Sequence, residues 1–489
     1  MKTNIGKLVV LLAAALSAAA CDFLDEYDPN STTTGNYYTS ESDIAASVSG
    51  VYASLTQSYY LGSACFHFTD IRAHSTVCHN SGANSGIPYQ FYNFTLTEEN
   101  TYVYNRYTAM YKTISRANTA LAHLDDVSYA SPDTRDIYEA EVRFLRALTY
   151  FYLVTEWGDV PLILTDLTTK DEVAAANRRV PKQQVYQAIF DDLDFAVRSP
   201  LRTVCPASEC GRASKAAAYA LAGKARLQLA CDEDFAAEKA ASLAAAIELL
   251  GEAWNLRTFG ALSDIPYANV WSLSTQKGCP ENIFQLNFIQ GNADLGSAWN
   301  YQFGPTQTGI TSMKTGQAYN CTTVEIYDRF DPADVRREFL RKFTSSGIDY
   351  YHTMKYADLE CGPDGYGGNN WVLLRYADVA LMLAEACYWS NDLPSARTWL
   401  NMVRKRAGLS DWSGSDLRQG IYDERLFEFI QEGLRWQDML RMYDRMEMIE
   451  HYNAVNSNFG LKDLLLPIPY NERILNPEGL YQNPGYTAE

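Results

Sequence analysis

The sequence predicts a mostly α-helical protein in which paired helices carry long irregular insertions. Apolar residues recur at a spacing of about 3.6 positions over most of the chain, as in amphipathic helices. Residues 62–101 and 252–370 differ, because they are rich in Gly, Asn, Ser, Thr and aromatic residues and show little helical period. Loops of that length are usually functional or pack as a substructure. We therefore expect a helical scaffold over about 41–61, 102–251 and 371–445, interrupted by two insertions.

Capping residues mark several helix boundaries. Ser131 and Pro132 predict an N-cap and a first helical turn. This helix should end near Trp157, because Gly158 and Pro161 follow. Its second half, LRALTYFYLVTEW, is apolar nearly all round and should be deeply buried. Further helices are expected over 41–61, 102–125, 182–198, 212–231, 235–251, 371–390, 394–407 and 420–445.

Two stretches, 212–251 and 371–407, each contain two predicted helices joined by a short turn. Alanine recurs along both pairs, and small side chains let two helices approach closely. This is typical of a helical hairpin of tetratricopeptide type. The period is irregular along the chain, so we expect degenerate units.

Charge and composition exclude two classes of protein. The 489 residues carry a net charge of −18, which disfavours binding to nucleic acid phosphates. Hydrophobic residues make up 47% and charged residues 20%, so disorder is not the main state.

The amino terminus resembles a secretion signal. Lys2 and Lys7 precede an apolar run over 8–20, and Cys21 follows directly. That run is too short to span a bilayer, which takes about 20 residues. We expect residues 1–20 to be a lipoprotein signal peptide, Cys21 to be lipidated, and 21–489 to form a single domain. The usual Leu three positions before the cysteine is absent, so cleavage without lipidation stays an alternative.

The ten cysteines leave the disulfide pattern open. Cys205 and Cys210 (CPASEC) are the best local candidates for a pair. Cys65 and Cys78 are a second candidate pair within CFHFTDIRAHSTVCH, although Cys and His in this stretch also resemble a metal cluster. Their spacing matches no common zinc finger, and we expect no metal and no cofactor.

Acidic residues give two further candidate sites. Glu424, Glu428 and Glu432 share one helix face, and a retaining glycosidase needs two carboxylates about 5–5.5 Å apart. Opposite charges interleave at helical spacing, which favours a structural ion-pair network: Arg425, Arg435, Asp438 and Arg441. Similarly, Glu385 and Arg375 should pair with each other or with the backbone.

Asp331 and Asp334 could bind Ca²⁺ through carboxylate oxygens. Helix capping is the preferred interpretation, because DPADVR places both residues just before a predicted turn of helix.

Five stretches in order along the chain carry a family resemblance. They are CDFLD at 21–25, AEVRFLRALTYFYLVTEWGDVPLIL at 140–164, GRASK at 211–215, LRYADVALMLAEA at 374–386 with LNMVRKRAGL at 400–409, and ERLFEFIQEGLRWQDMLR at 424–441 with LLPIP at 465–469 and QNPGY at 482–486. With these motifs the chain resembles the SusD/RagB family, the cell-surface glycan-binding lipoproteins of Bacteroidetes.

The resemblance implies a SusD-like fold with four tetratricopeptide-like helical hairpins and an irregular, loop-rich ligand-binding half. It implies no catalysis. It also implies a lipid-anchored, surface-exposed position at the outer membrane and a SusC-type TonB-dependent transporter as partner. The expected function is capture of an oligosaccharide or polysaccharide and its delivery to that transporter. A helical glycosidase using Glu424, Glu428 and Glu432, and a scaffold that binds only the transporter, stay alternatives.

Aromatic residues of the insertions are the candidate sugar contacts. Sugar binding uses flat rings against C–H faces, with amides or carboxylates for the hydroxyls. Helical tryptophans such as Trp157 and Trp436 should be core instead. The candidates are Trp299, Tyr301 and Tyr89, in that order, followed by Tyr92, Tyr366 and Asn300. Packing of the insertion itself is the alternative for each, and the resemblance assigns none of them by position.

Overall fold

The computed structural model describes residues 37–78, 86–305, 316–361 and 365–486. Within these ranges the chain forms sixteen α-helices and seven short strands. The helices are α1 (Glu41–Leu55), α2 (Tyr89–Asn93), α3 (Thr101–Ala122), α4 (Pro132–Trp157), α5 (Lys170–Ala176), α6 (Lys182–Arg198), α7 (Lys215–Cys231), α8 (Lys239–Asn255), α9 (Trp299–Phe303), α10 (Val324–Tyr327), α11 (Tyr376–Trp389), α12 (Leu393–Arg406), α13 (Leu417–Phe429), α14 (Arg435–Met442), α15 (Arg445–Asn453) and α16 (Tyr470–Arg473).

Helix α4 begins and ends where the sequence predicts. Ser131 is the N-cap and Pro132 occupies the first turn. The helix stops at Gly158, whose φ of 73° would strain any residue with a Cβ. From Glu139 to Trp157 every side chain of α4 except Arg143 is buried, which confirms the deep burial expected for its second half.

The long helices pack in pairs. The main pairs are α3 with α4, α4 with α6, α7 with α8, and α11 with α12. Gly223 of α7 lies against Leu250 of α8, so close that a Cβ would meet the leucine side chain at 2.5 Å. This contact confirms the close approach expected for the alanine-rich pair. The division into four tetratricopeptide-like units stays a prediction.

The strands lie mainly in the second insertion. Strand β1 (Val160–Pro161) pairs with β2 (Arg179–Val180), and β3 (Asn282–Leu286) pairs antiparallel with β7 (Trp371–Arg375). A three-stranded sheet has the order β4-β6-β5 and consists of β4 (Thr322–Thr323), β5 (Leu340–Ser345) and β6 (Ile348–Thr353). All five residues of β7 are buried.

Two predicted helix boundaries were wrong. Residues 371–375 form β7 and not the start of a helix, because a short apolar run cannot be assigned to helix or strand by periodicity alone. The helix expected over 420–445 is broken after Phe429. At the break Gln431 and Gly433 both adopt positive φ, and the Gln431 amide donates to the Asn320 carbonyl.

The expected disulfides are not formed. Cys205 donates to the Arg212 carbonyl at 3.2 Å, and Cys210 donates to the Asn287 side chain at 3.4 Å. Cys65 is a free, buried thiol, which rules out its pairing with Cys78 in this structure. The Cys21 prediction lies outside the described residues.

Among the described helices, none combines the length and apolar character that a membrane crossing requires.

Candidate functional site

Helix α2 presents two tyrosines of the first insertion side by side. Tyr89 and Tyr92 stack with ring centroids 5.4 Å apart and planes 17° apart. The imidazole of His74 lies 4.1 Å from the Tyr92 ring and donates to the Tyr92 carbonyl at 2.7 Å. Burial lowers the pKa of His74 to about 4, so its ring is neutral at physiological pH. The pair is therefore supported from one side by an uncharged ring.

Tyr350 of the second insertion adjoins this pair. It packs on β6 against the cluster that contains Ala318 and Cys321, and burial, followed by the nearby Cys321 and Tyr89, raises its pKa. Tyr319 lies two residues before Cys321, which forms a β-bridge with Val77. The neighbours of Tyr319 include Tyr301. All five rings are half-buried. We call this surface the tyrosine face: Tyr89, Tyr92, Tyr301, Tyr319 and Tyr350.

Polar side chains border the tyrosine face. The Gln317 amide donates to the Tyr301 hydroxyl. Glu325, which is exposed on α10, lies near Tyr92 and contributes to its raised pKa. Gln90 accepts a hydrogen bond from Asn100 at 2.8 Å, which fixes its amide beside the stacked pair. Half-exposed rings with amides and a carboxylate beside them suit a ligand that has both C–H faces and hydroxyls.

Trp299, the first choice from sequence, is packed inside the insertion. It is 1% exposed and stacks on Trp371 with ring centroids 4.4 Å apart. Asn300 is also buried, and its amide donates to the Asp358 carbonyl while its oxygen accepts from the Asp358 backbone N–H. Neither side chain presents a face to solvent, so the packing alternative describes both.

Tyr366 lies apart from the tyrosine face. It is half-buried and lines a cavity of about 540 Å³ together with the edge of Trp299. The predicted residues therefore fall into two places: Tyr89, Tyr92 and Tyr301 at the tyrosine face, and Tyr366 at the cavity. Sequence analysis missed Tyr319 and Tyr350, and the IDYYHT segment of β6 shows no alternation that would have marked Tyr350.

The three glutamates proposed as a catalytic face belong to a buried ion network. Glu428 is fully buried and accepts from Arg336, Arg375 and Arg406. Burial alone would raise its pKa, but Arg406, Arg375 and Arg336 hold the Glu428 pKa well below its ordinary value. Glu424 binds Arg336 and Arg404, and Glu432 binds Lys355 and Arg375.

This first network is balanced in charge. Its carboxylates are Asp334, Glu281, Glu424, Glu428 and Glu432, and its cations are Arg336, Lys355, Arg375, Arg404 and Arg406. No carboxylate in it reaches a water-filled cleft suited to a glycosidic bond, since each is at most 4% exposed. The ion-pair interpretation is therefore confirmed for the three glutamates, whereas their expected partners were wrong.

The arginines expected as those partners form a second buried network. Arg425 binds Asp378 and Asp438, and Arg441 binds Asp438 and Glu385. Glu385 and Arg375 do not pair with each other, because each belongs to a different network. The backbone alternative holds for Arg375, which also donates to the Glu428 backbone carbonyl at 3.1 Å. Arg435 instead donates to the Tyr422 carbonyl.

The suspected cation sites have other roles. His67 is buried and its pKa is lowered to about 3 by burial, and no group of three or more potential metal ligands occurs in the part of the chain that the structure describes. His79 lies outside that part. Asp334 caps a short 3₁₀ helix by accepting from the Arg336 N–H, and Asp331 accepts from the Ala333 N–H. Helix capping is therefore confirmed for Asp334, whereas Asp331 stabilises the turn that precedes this helix.

Two family models match the chain, one in its amino-terminal part and one in its carboxy-terminal part. A family model described as SusD family matches residues 341–486, and one described as "Starch-binding associating with outer membrane" matches residues 22–227. SusD-like protein P2 of Formosa agariphila is 25% identical over 98% of this chain and 99% of its own length. A SusD-like protein of Bacteroides ovatus is 24% identical over 91% of this chain and 84% of its own.

Solved structures share the fold. Surface glycan-binding protein A from Bacteroides thetaiotaomicron, in complex with laminarihexaose, aligns with a TM-score of 0.76 at 20% identity, over 91% of this chain and 99% of its own. A laminarin-binding SusD-like protein aligns with a TM-score of 0.75 at 24% identity, over 92% of this chain and 100% of its own. At these identities the likeness establishes the fold.

Proposed function

Because the chain belongs to the SusD/RagB family, we propose that it binds a glycan at the cell surface through the tyrosine face. The observation that carries this proposal is the stacked pair Tyr89 and Tyr92, beside which Tyr350, Tyr301 and Tyr319 are also half-buried. Rings held in this way offer contact area to a sugar at little cost in conformational entropy. The relatives named as binding glycan or laminarin support the same class of ligand.

Binding leaves the glycan intact in this proposal. The carboxylates that could serve a glycosidase are buried in ion pairs. At the tyrosine face Glu325 lies near Tyr92, whereas hydrolysis needs two carboxylates that flank the scissile bond. The protein therefore holds its ligand by stacking and hydrogen bonds alone.

The captured glycan would pass to a SusC-type TonB-dependent transporter in the outer membrane, with Cys21 carrying the lipid anchor. The SusD family assignment and the outer-membrane wording of the second family model support this step. Co-purification of the lipidated protein with an outer-membrane barrel tests it. Recovery of the protein without any barrel, from membranes that retain its lipid anchor, would contradict it.

Calorimetry with a hexasaccharide panel tests glycan binding. The probes are laminarihexaose, maltohexaose, cellohexaose, xylohexaose and mannohexaose. We expect at least one to bind, and the double variant Tyr89→Ala/Tyr92→Ala to bind it at least tenfold more weakly. Stacking of a nucleic-acid base on an aromatic ring contributes about 1–3 kcal/mol, and we expect the loss of two rings that stack on sugars to have an effect of that order. Tyr470→Ala, at an exposed tyrosine elsewhere, is the matched control and should bind as the wild type does.

Two results would contradict the proposal. If the wild-type protein binds no member of the panel and no larger glycan, the proposed glycan-binding function is wrong. If Tyr89→Ala/Tyr92→Ala binds the glycan as the wild type does, the binding site is not at the tyrosine face. Product analysis after prolonged incubation should find the hexasaccharides uncleaved.

A further inference from the structure

A second place in the molecule has the volume and chemistry of a ligand site. The cavity of about 540 Å³ lies between the end of α1, the loop at 208–212, the end of β3 and the loop at 293–296. Pockets for small ligands measure about 300–1,000 Å³. We propose that this cavity is a second binding site for a neutral oligosaccharide, separate from the tyrosine face. The inference rests on the proposed function and adds a site to it.

The walls combine rings with hydroxyl groups. Tyr52 and Tyr366 are both half-buried and both line the cavity. The Tyr52 hydroxyl accepts from the Ala213 N–H at 2.8 Å, which fixes its ring. Hydroxyl side chains line the same space: Ser49, Thr56, Ser58, Ser63 and Ser208. Rings for C–H faces beside many neutral donors and acceptors match a polyhydroxylated ligand.

Charges around the cavity select against an anionic ligand. The Glu209 carboxylate is paired with Arg202 at 2.8 Å, and the Arg212 guanidinium is paired with Glu141. These cations are therefore already neutralised. Asp294, exposed at the mouth, adds a negative charge. A neutral sugar meets no repulsion here, whereas a sulphated or carboxylated one would.

One wall is a preformed loop that leaves an apolar side chain at the mouth. The Ile289 N–H donates to the Leu295 carbonyl at 2.8 Å, and the Asn292 side chain accepts from the Leu295 and Asp294 N–H groups. Leu295 itself lines the cavity and is 54% exposed. A ligand in the cavity would cover this leucine, which gives binding a hydrophobic contribution.

Helix α9 contributes one residue to each of the two sites. Trp299, at the start of α9, lines the cavity, and Tyr301, two residues later, belongs to the tyrosine face. Trp299 stacks on Trp371, which stacks on Tyr356, and Phe303 of the same helix packs against that cluster. Because this cluster is buried, it holds α9, and with it Trp299 and Tyr301, in a fixed position.

Filling the cavity from α1 tests the inference. Ala53 is exposed and lines the cavity, so Ala53→Trp adds bulk there without disturbing the core. Ala46→Trp is the matched control, because Ala46 is exposed on the same face of α1 about 10 Å away at 1.5 Å per residue. Calorimetry with the five hexasaccharides then counts the molecules bound per chain.

We expect two hexasaccharides per wild-type chain, one per Ala53→Trp chain, and two per Ala46→Trp chain. Tyr366→Ala should weaken the second site at least tenfold without added bulk. In a chain that also carries Tyr89→Ala/Tyr92→Ala, Ala53→Trp should abolish binding at the remaining site, whereas Ala46→Trp should leave that binding unchanged. One hexasaccharide per wild-type chain, or unchanged binding in Ala53→Trp, overturns the second site and leaves the proposed function standing. No binding by wild type overturns both.

Discussion

The substitution Glu428→Gln separates the structural role of this residue from a catalytic one. Glu428 is fully buried and accepts from three arginines in a network with five carboxylates and five cations. The amide keeps the shape of the side chain but leaves one uncompensated positive charge inside the protein. Removing one partner of a buried ion pair costs about 3–5 kcal/mol. We therefore expect the free energy of unfolding to fall by about that amount.

Urea unfolding at neutral pH measures the change directly, and calorimetry supplies a second value. Unfolding entropy is about 2.1 cal/mol/K per residue, or roughly 1 kcal/mol/K for this chain, so Tm should fall by about 3–5 °C. Asp194→Asn is the control, because the Asp194–Arg198 pair is exposed and such pairs contribute about 0.5 kcal/mol or less. The structural role would be refuted if Glu428→Gln were as stable as the wild type and had lost a glycan-cleaving activity that the wild type possesses.

Three further predictions concern the anchor, a buried carboxyl and a helix end. Cys21→Ser should move the protein from the membrane pellet to the soluble fraction; continued pelleting would contradict lipidation. Burial raises the pKa of Asp70 to about 7, so native Asp70 keeps a proton that the unfolded chain loses between about pH 4 and 7, and stability falls as pH rises through that window. Urea unfolding should therefore show that Asp70→Asn gains stability relative to wild type when the pH is raised from 5 to 8. An equal difference in the free energy of unfolding at the two pH values would count against the raised pKa. Gly158→Ala should lower the free energy of unfolding by about 1 kcal/mol or more, because φ is 73° and a Cβ would lie 3.1 Å from Leu465; unchanged stability would contradict the strain.

Helices with explicit boundary residues could be located from the sequence. Ser131 with Pro132 and Gly158 fixed both ends of α4, because capping and left-handed backbone depend on local chemistry. β7 was missed, since its buried apolar run fits a helix equally well by pattern. The break after Phe429 depends on distant partners, such as Asp70, which accepts from the Gly433 N–H at 3.2 Å. No local pattern reports such a contact.

The site was predictable only in outline. Loop composition pointed to Tyr89, Tyr92 and Tyr301, which are half-buried in the structure, and their contact with a sugar stays a prediction. It could not tell which ring of an insertion packs inward, so Trp299 was preferred although it stacks on Trp371. The ion-pair partners of Glu428 were also out of reach, because Arg336 and Arg375 are brought to it from 92 and 53 positions away.

The most direct test of a non-catalytic sugar receptor is a crystal structure of the protein with a hexasaccharide that it binds in solution. The account predicts an intact oligosaccharide with sugar rings packed against Tyr89 and Tyr92, and no bound sugar near Glu428. A structure in which no bound oligosaccharide covers either ring, or in which the oligosaccharide is cleaved, would contradict it.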